Sequence, residues 1–268
     1  MKNILKIMLM MITIFTIAGS AVYAAEIPVS DQDQLITSND WTEISNLQDE
    51  MKKEEPDATI DYDKALKVYV DCNLIKLQTA DTKKLTSALE SANYVWVIPF
   101  KMEKTYGMFT VAKGLPLREE AKSVLTKAEQ EEVKNHAGKW MITEIAEHTV
   151  EPYYDILLEK REALSDCTRV VLVGSQPGMR QPVALGMDDE TARIWISLGY
   201  QYPVMEKIPE TQNVESGVYS FDSVAEISDT YIEDSEVSTG VGVQSRSSMK
   251  YVACLLYTSP SPRDLSTS

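Results

Sequence analysis

The hydrophobic and polar positions of this 268-residue chain switch repeatedly between two periods. Leu66, Val68, Val70 and Cys72 alternate with Lys67, Tyr69 and Asp71, a period of two that predicts a half-buried strand. Leu85, Ala88, Leu89 and Ala92 then form one stripe at helical spacing, with Thr79 or Asp81 placed to cap it. Residues 94–100 and 107–112 read as two strands of a hairpin. Pro116 opens a short helix with Ala121, Val124 and Leu125 facing inward, and Thr126 with Glu129 makes a capping box for a helix that stops at Gly138. Residues 140–145 read as a strand, and 152–164 as a helix with Tyr153, Ile156, Leu157 and Leu164 on one face. Strands follow at 169–173, 183–187 and 192–198, with a type II turn at Gln176-Pro177-Gly178-Met179 and a second connection at 188–191.

Helices interspersed with hairpins predict an α+β fold, a largely antiparallel sheet with helices packed on it. Strand, helix, strand, strand occurs at 66–112 and again at 140–187. Residues 58–202 therefore read as the globular region, either one mixed sheet or two βαββ-like halves at 58–138 and 139–202. Residues 25–57 read as a polar, flexible lead-in as far as Thr37, followed by a helix over 41–52. In that helix Trp41, Ile44, Leu47 and Met51 recur near helical spacing and Asp40 with Glu43 offers a capping box. Pro203 and Pro209 introduce a tract rich in Ser, Thr and acids, so residues 203–253 read as a linker or stalk with a short helical option at 224–231.

The two ends change this picture. Lys2 and Lys6 precede the apolar run 7–18, and a small-residue stretch then ends in Val22-Tyr23-Ala24, a site for peptidase cleavage before Ala25. Residues 1–24 thus predict a signal peptide of bacterial export type and a protein that is extracellular or at the cell surface. The alternative is an uncleaved anchor, since residues 4–24 can just span a bilayer if Lys6 snorkels. At the other end, Cys254-Leu-Leu-Tyr-Thr-Ser-Pro-Ser-Pro-Arg-Asp264 resembles, over all 11 residues, the translation of a transposase-end sequencing adapter. That resemblance implies that residues 254–268 are an artefact, that the natural chain continues past Ala253, and that a wall-sorting motif or C-terminal anchor lies outside this sequence.

Setting aside Lys2, Lys6, Arg263 and Asp264 from 26 basic and 41 acidic residues leaves 23 against 40. A surface this acidic repels phosphates and anionic lipids, so nucleic acid is excluded as a partner and membrane contact is expected only through an uncleaved signal or a missing anchor. The expected partner is an extracellular or cell-wall component.

Candidate chemistry is sparse. Cys72 and Cys167 can pair in an oxidising exterior, and closing that loop would stabilise by about 4–5 kcal/mol in the chain-entropy model; the alternative is two free, buried thiols. His148, beside Glu147, is the base available to a Cys72 or Cys167 nucleophile in a secreted hydrolase. His136, just before Gly138, suits the C-terminus of a helix. The two histidines lack zinc spacing, and the acidic pairs Asp61/Asp63, Asp188/Asp189 and Asp229/Glu233/Asp234 lack the glycine and oxygen spacing of a calcium loop. No metal or cofactor is expected. Gly174-Ser175-Gln176-Pro177-Gly178 departs from a nucleophile elbow in its order and in the hairpin that follows. Tyr94, Trp96, Tyr106, Phe109 and Trp140 read as core, with an exposed ligand platform as the alternative. The leading expectation is a non-enzymatic binding or scaffold domain.

Overall fold

A computed structural model of the chain describes residues 27–148, 151–174, 176, 182–199 and 213–232. The predicted signal, the stalk beyond 232 and the adapter-like tail lie outside the described residues, as does most of the turn at 176–179.

In chain order the regular elements begin with helices α1 (Trp41–Ile44) and α2 (Gln48–Glu54), then strands β1 (Thr59–Ile60) and β2 (Leu66–Val70). Helix α3 (Thr82–Glu90) precedes β3 (Asn93–Lys101) and β4 (Tyr106–Lys113), and α4 (Lys127–His136) leads to β5 (Trp140–His148). After α5 (Tyr153–Glu159) come β6 (Arg169–Val173), β7 (Val183–Met187), β8 (Ala192–Ser197), β9 (Asn213–Glu215), β10 (Val218–Ser220) and α6 (Phe221–Ile232).

The ten strands among the described residues join one sheet in the order β5-β4-β3-β2-β6-β7-β8-β10-β9, with β1 on β3. The fold is α+β and the sheet largely antiparallel; β2 and β6 make the parallel ladder, pairing only Val68 with Leu172 and Tyr69 with Val173. The two βαββ-like units do not form separate halves, because β5 pairs with β4 at one edge while β6 pairs with β2 at the centre.

Both faces of the sheet are covered. Cross-strand partners share a face, so the register Lys67–Trp96 and Tyr69–Tyr94 sets one face. On it Tyr69, Val171, Leu185, Trp195 and Tyr219 pack with Leu85 and Leu89 of α3 and Phe221 and Val224 of α6. Farther along that face Trp96, Ile98, Phe100, Phe109 and Val111 pack with Ile44 and Met51 of α1 and α2. On the opposite face Val68, Val97, Val170, Leu172, Ala184 and Ile196 pack with Tyr153 and Leu157 of α5, and with Leu164.

Several local expectations hold. Asp81 caps α3 by accepting from the Lys84 amide at 3.0 Å, and Thr126 and Glu129 form both bonds of the capping box of α4. Others change. Residues 27–37 are not a loose lead-in: Ile27 and Leu35 are buried, Val29 bridges Val170 and Gln34 bridges Leu66. Residues 213–232 are not stalk, because Val218, Tyr219, Phe221 and Val224 complete the core. The helix over 41–52 is interrupted by a tight turn at Ser45–Leu47, and Asp40 leaves its cap empty because Tyr94 and Trp96 claim its carboxylate. Val124 points outward, with 63% of its surface exposed.

Candidate functional site

The predicted nucleophiles and base do not converge. Cys72 follows the C-terminal end of β2 and packs against the α3/α6 face, whereas Cys167 is buried on the opposite face. Both are free cysteines, so of the two alternatives the structure has free thiols and no disulfide; the sheet stands between them. Burial pushes the Cys72 thiol up to about 12, with Asp71 adding to it, and the Cys167 thiol up to about 11, where Arg193 pulls the other way and Asp166 and Asp188 add. A nucleophilic cysteine needs the opposite shift, toward thiolate. His148 ends β5, the sheet edge, paired with Tyr106. Strands β4 and β3 separate β5 from β2, and Cys72 lies at the opposite rim of the sheet. Cys167 enters β6, four strand positions from β5, or about 19 Å at the usual strand spacing. His136 closes the last turn of α4.

The other candidates fall into structural roles. Asp188 accepts from the Glu190 and Thr191 amides at 2.8 and 2.6 Å and pairs with Arg193, which fixes the β7–β8 turn. Asp61 lies 3.8 Å from Lys64, whose ammonium bonds Asp155 at 2.9 Å. No cluster of metal-ligating side chains occurs among the described residues. Gln176 is buried and stitches the start of the β6–β7 connection to the β2 exit, donating to the carbonyls of Cys72 and Gly174 and accepting from the Leu74 amide. Trp96, Phe109 and Trp140 are core residues, not an exposed platform.

Two arrangements escaped the sequence reading. The first is a buried charge cluster where β2 and β6 separate. Asp33, 2% exposed, accepts from Ser30 Oγ at 2.6 Å, Tyr69 Oη at 2.7 Å and Arg169 Nη2 at 3.0 Å, and lies 3.7 Å from Lys67 Nζ. The Lys67 ammonium also sits 4.6 Å from the Tyr94 ring centre and 5.2 Å from that of Trp96. Asp40 accepts from Tyr94 Oη at 2.9 Å and Trp96 Nε1 at 3.0 Å. Burial lowers the Lys67 pKa, while Asp33 and Asp40 pull it back up; burial and Asp33 raise that of Tyr69. The signal in the sequence was Lys67 itself: on a central strand both faces are covered, so a lysine there requires carboxylate and aromatic partners.

The second is a cleft of about 230 Å³ between residues 75–80 and the first turns of α6. Ile75, Phe221 and Ala225 supply apolar surface, and Gln78, Asp222 and Glu226 supply polar groups. Phe221 is braced from below by buried Trp195, with ring centres 6.1 Å apart. Gln78 adopts a left-handed backbone, φ 49°. One wall of the cleft, α6, lies in a tract that reads from sequence as stalk, which is why the cleft was missed.

No family model, curated protein or solved structure matches this chain.

Proposed function

We propose that the protein is an exported, non-enzymatic binding or scaffold domain, released or displayed at the cell surface, and that it takes a cationic group of an extracellular or cell-wall partner in the cleft beside α6. The observation that carries this reading is the lining of that cleft, where exposed Asp222 and Glu226 share the wall with half-buried Ala225 and the edges of Ile75 and Phe221. An ammonium or guanidinium on a hydrocarbon stem matches both parts, the stem lying along Ala225 and the charge meeting Asp222 and Glu226. The acidic character of the chain attracts such a partner from a distance. Export is supported by the positive, apolar and small-residue order of residues 1–24. The hydrolase alternative loses support from the protonated thiols and their separation from His148.

Titration of the purified exported protein with short lysine- or arginine-containing peptides, followed by amide chemical shifts, tests the binding site. The expected result is shifts centred on residues 75–80 and 221–226 that are lost in Asp222→Asn/Glu226→Gln and in the cleft-filling Ala225→Trp. Binding unchanged in both variants, or none to any cationic peptide, overturns it. N-terminal sequencing of the secreted protein is expected to begin at Ala25. His148→Ala is expected to leave the biological activity intact; a hydrolytic activity lost in that variant, with circular dichroism unchanged, would restore the enzyme reading.

A further inference from the structure

We infer that the slot between the separated N-terminal halves of β2 and β6 is a peptide-acceptor site keyed to one carboxylate, and that residues 27–37 are the peptide that fills it. The strands pair only at their C-terminal ends, so upstream each offers an unpaired edge. The segment takes both edges. The Val170 amide donates to the Pro28 carbonyl at 2.7 Å, and the Leu35 amide donates to the Ala65 carbonyl at 3.1 Å. Its apolar side chains divide between the two faces, Ile27 and Val29 joining the α5 side and Leu35 the α1/α2 side.

Specificity comes from Asp33. Lys67 and Arg169 both reach it, and Tyr69 Oη joins them at 2.7 Å. An empty slot would leave buried Lys67 and half-buried Arg169 without their shared carboxylate and two strand edges without partners, so the domain closes only around an acidic occupant. This mode is strand addition, with the backbone supplying affinity and one side chain supplying selectivity.

Placing a protease site at residues 38–39 of the exported protein and cutting after folding tests the slot. The cut protein is expected to retain the fragment 25–37 through gel filtration and to exchange it for a labelled synthetic copy, while a copy carrying Asp33→Asn binds at least tenfold more weakly. Loss of the fragment with the fold intact, or equal binding of the Asp33→Asn copy, overturns the proposal. The uncut Asp33→Asn protein supplies an independent measurement. Amide exchange at Leu35 and Val170 is expected to quicken at least tenfold while Leu185 is unchanged, and unaltered rates at Leu35 and Val170 overturn the keying role.

Discussion

At the scale of single residues, the interior of this protein is set by where charge is tolerated. Asp33 balances Lys67 and Arg169 inside the sheet, and removing one member of a buried ionic group strands the others. Asp33→Ala is therefore expected to destabilise by about 3–5 kcal/mol in urea unfolding, with Asp33→Asn costing less because the amide still accepts from Tyr69. Glu144 on β5 behaves differently. Burial pushes its carboxyl up to about 7, so from about pH 4.5 to 7 the native state holds a proton that the unfolded chain has already released. Raising pH through that window lowers stability, and above it the whole penalty applies, on the order of 3 kcal/mol. Thermal unfolding of Glu144→Gln against the parent is expected to show a gain at pH 8 that disappears at pH 4; an equal difference at both pH values would refute the burial account.

At the scale of elements, local patterns were legible wherever local chemistry decided the outcome. The strands 169–173 and 183–187 match their predicted bounds, and the Thr126/Glu129 capping box forms as its spacing required. Failures occur where a distant partner outcompetes the local one. Asp40 lies at the start of α1 and bonds Tyr94 and Trp96 in place of the helix amides. Residues 27–37 carry little periodicity because they fill a slot made by strands more than thirty and more than a hundred residues away, and such long-range demands leave no period in a sequence. The β4–β5 pair shows the same dependence on neighbours. A Cβ on Gly107 would lie 2.1 Å from the Phe100 ring and 2.8 Å from the Ala146 carbonyl oxygen. Gly107→Ala is expected to cost about 2–3 kcal/mol through displaced strands, measured as a lower urea midpoint, although alanine suits a strand no worse than glycine. The β5 edge also has a register shift beside Thr110, and half-buried Glu144 sits on that strand, two features that discourage pairing with a further strand.

At the scale of the whole molecule, the strand order decides whether the repeated strand-helix-strand-strand pattern corresponds to two folding units. It does not, because β2 and β6, one from each copy, are neighbours at the centre and share the segment 27–35 between them. Each face of the sheet carries apolar contacts across that junction: Tyr69 with Val171 and Val173 on one side, Val68 with Val170 and Leu172 on the other. Cutting the molecule at residue 138 would open both of these clusters, leaving the first half only the cluster around Trp96, Phe100 and Phe109, which itself would lose Trp140 and Ile142. The domain is expected to open as one cooperative unit. Native-state amide exchange should give the slowest amides of β3, such as Val97, and of β7, such as Leu185, the same opening free energy, equal to that of global unfolding by denaturant. Two plateaus, one for β3 and β4 and a lower one for β7 and β8, would show that the halves unfold separately despite their common sheet.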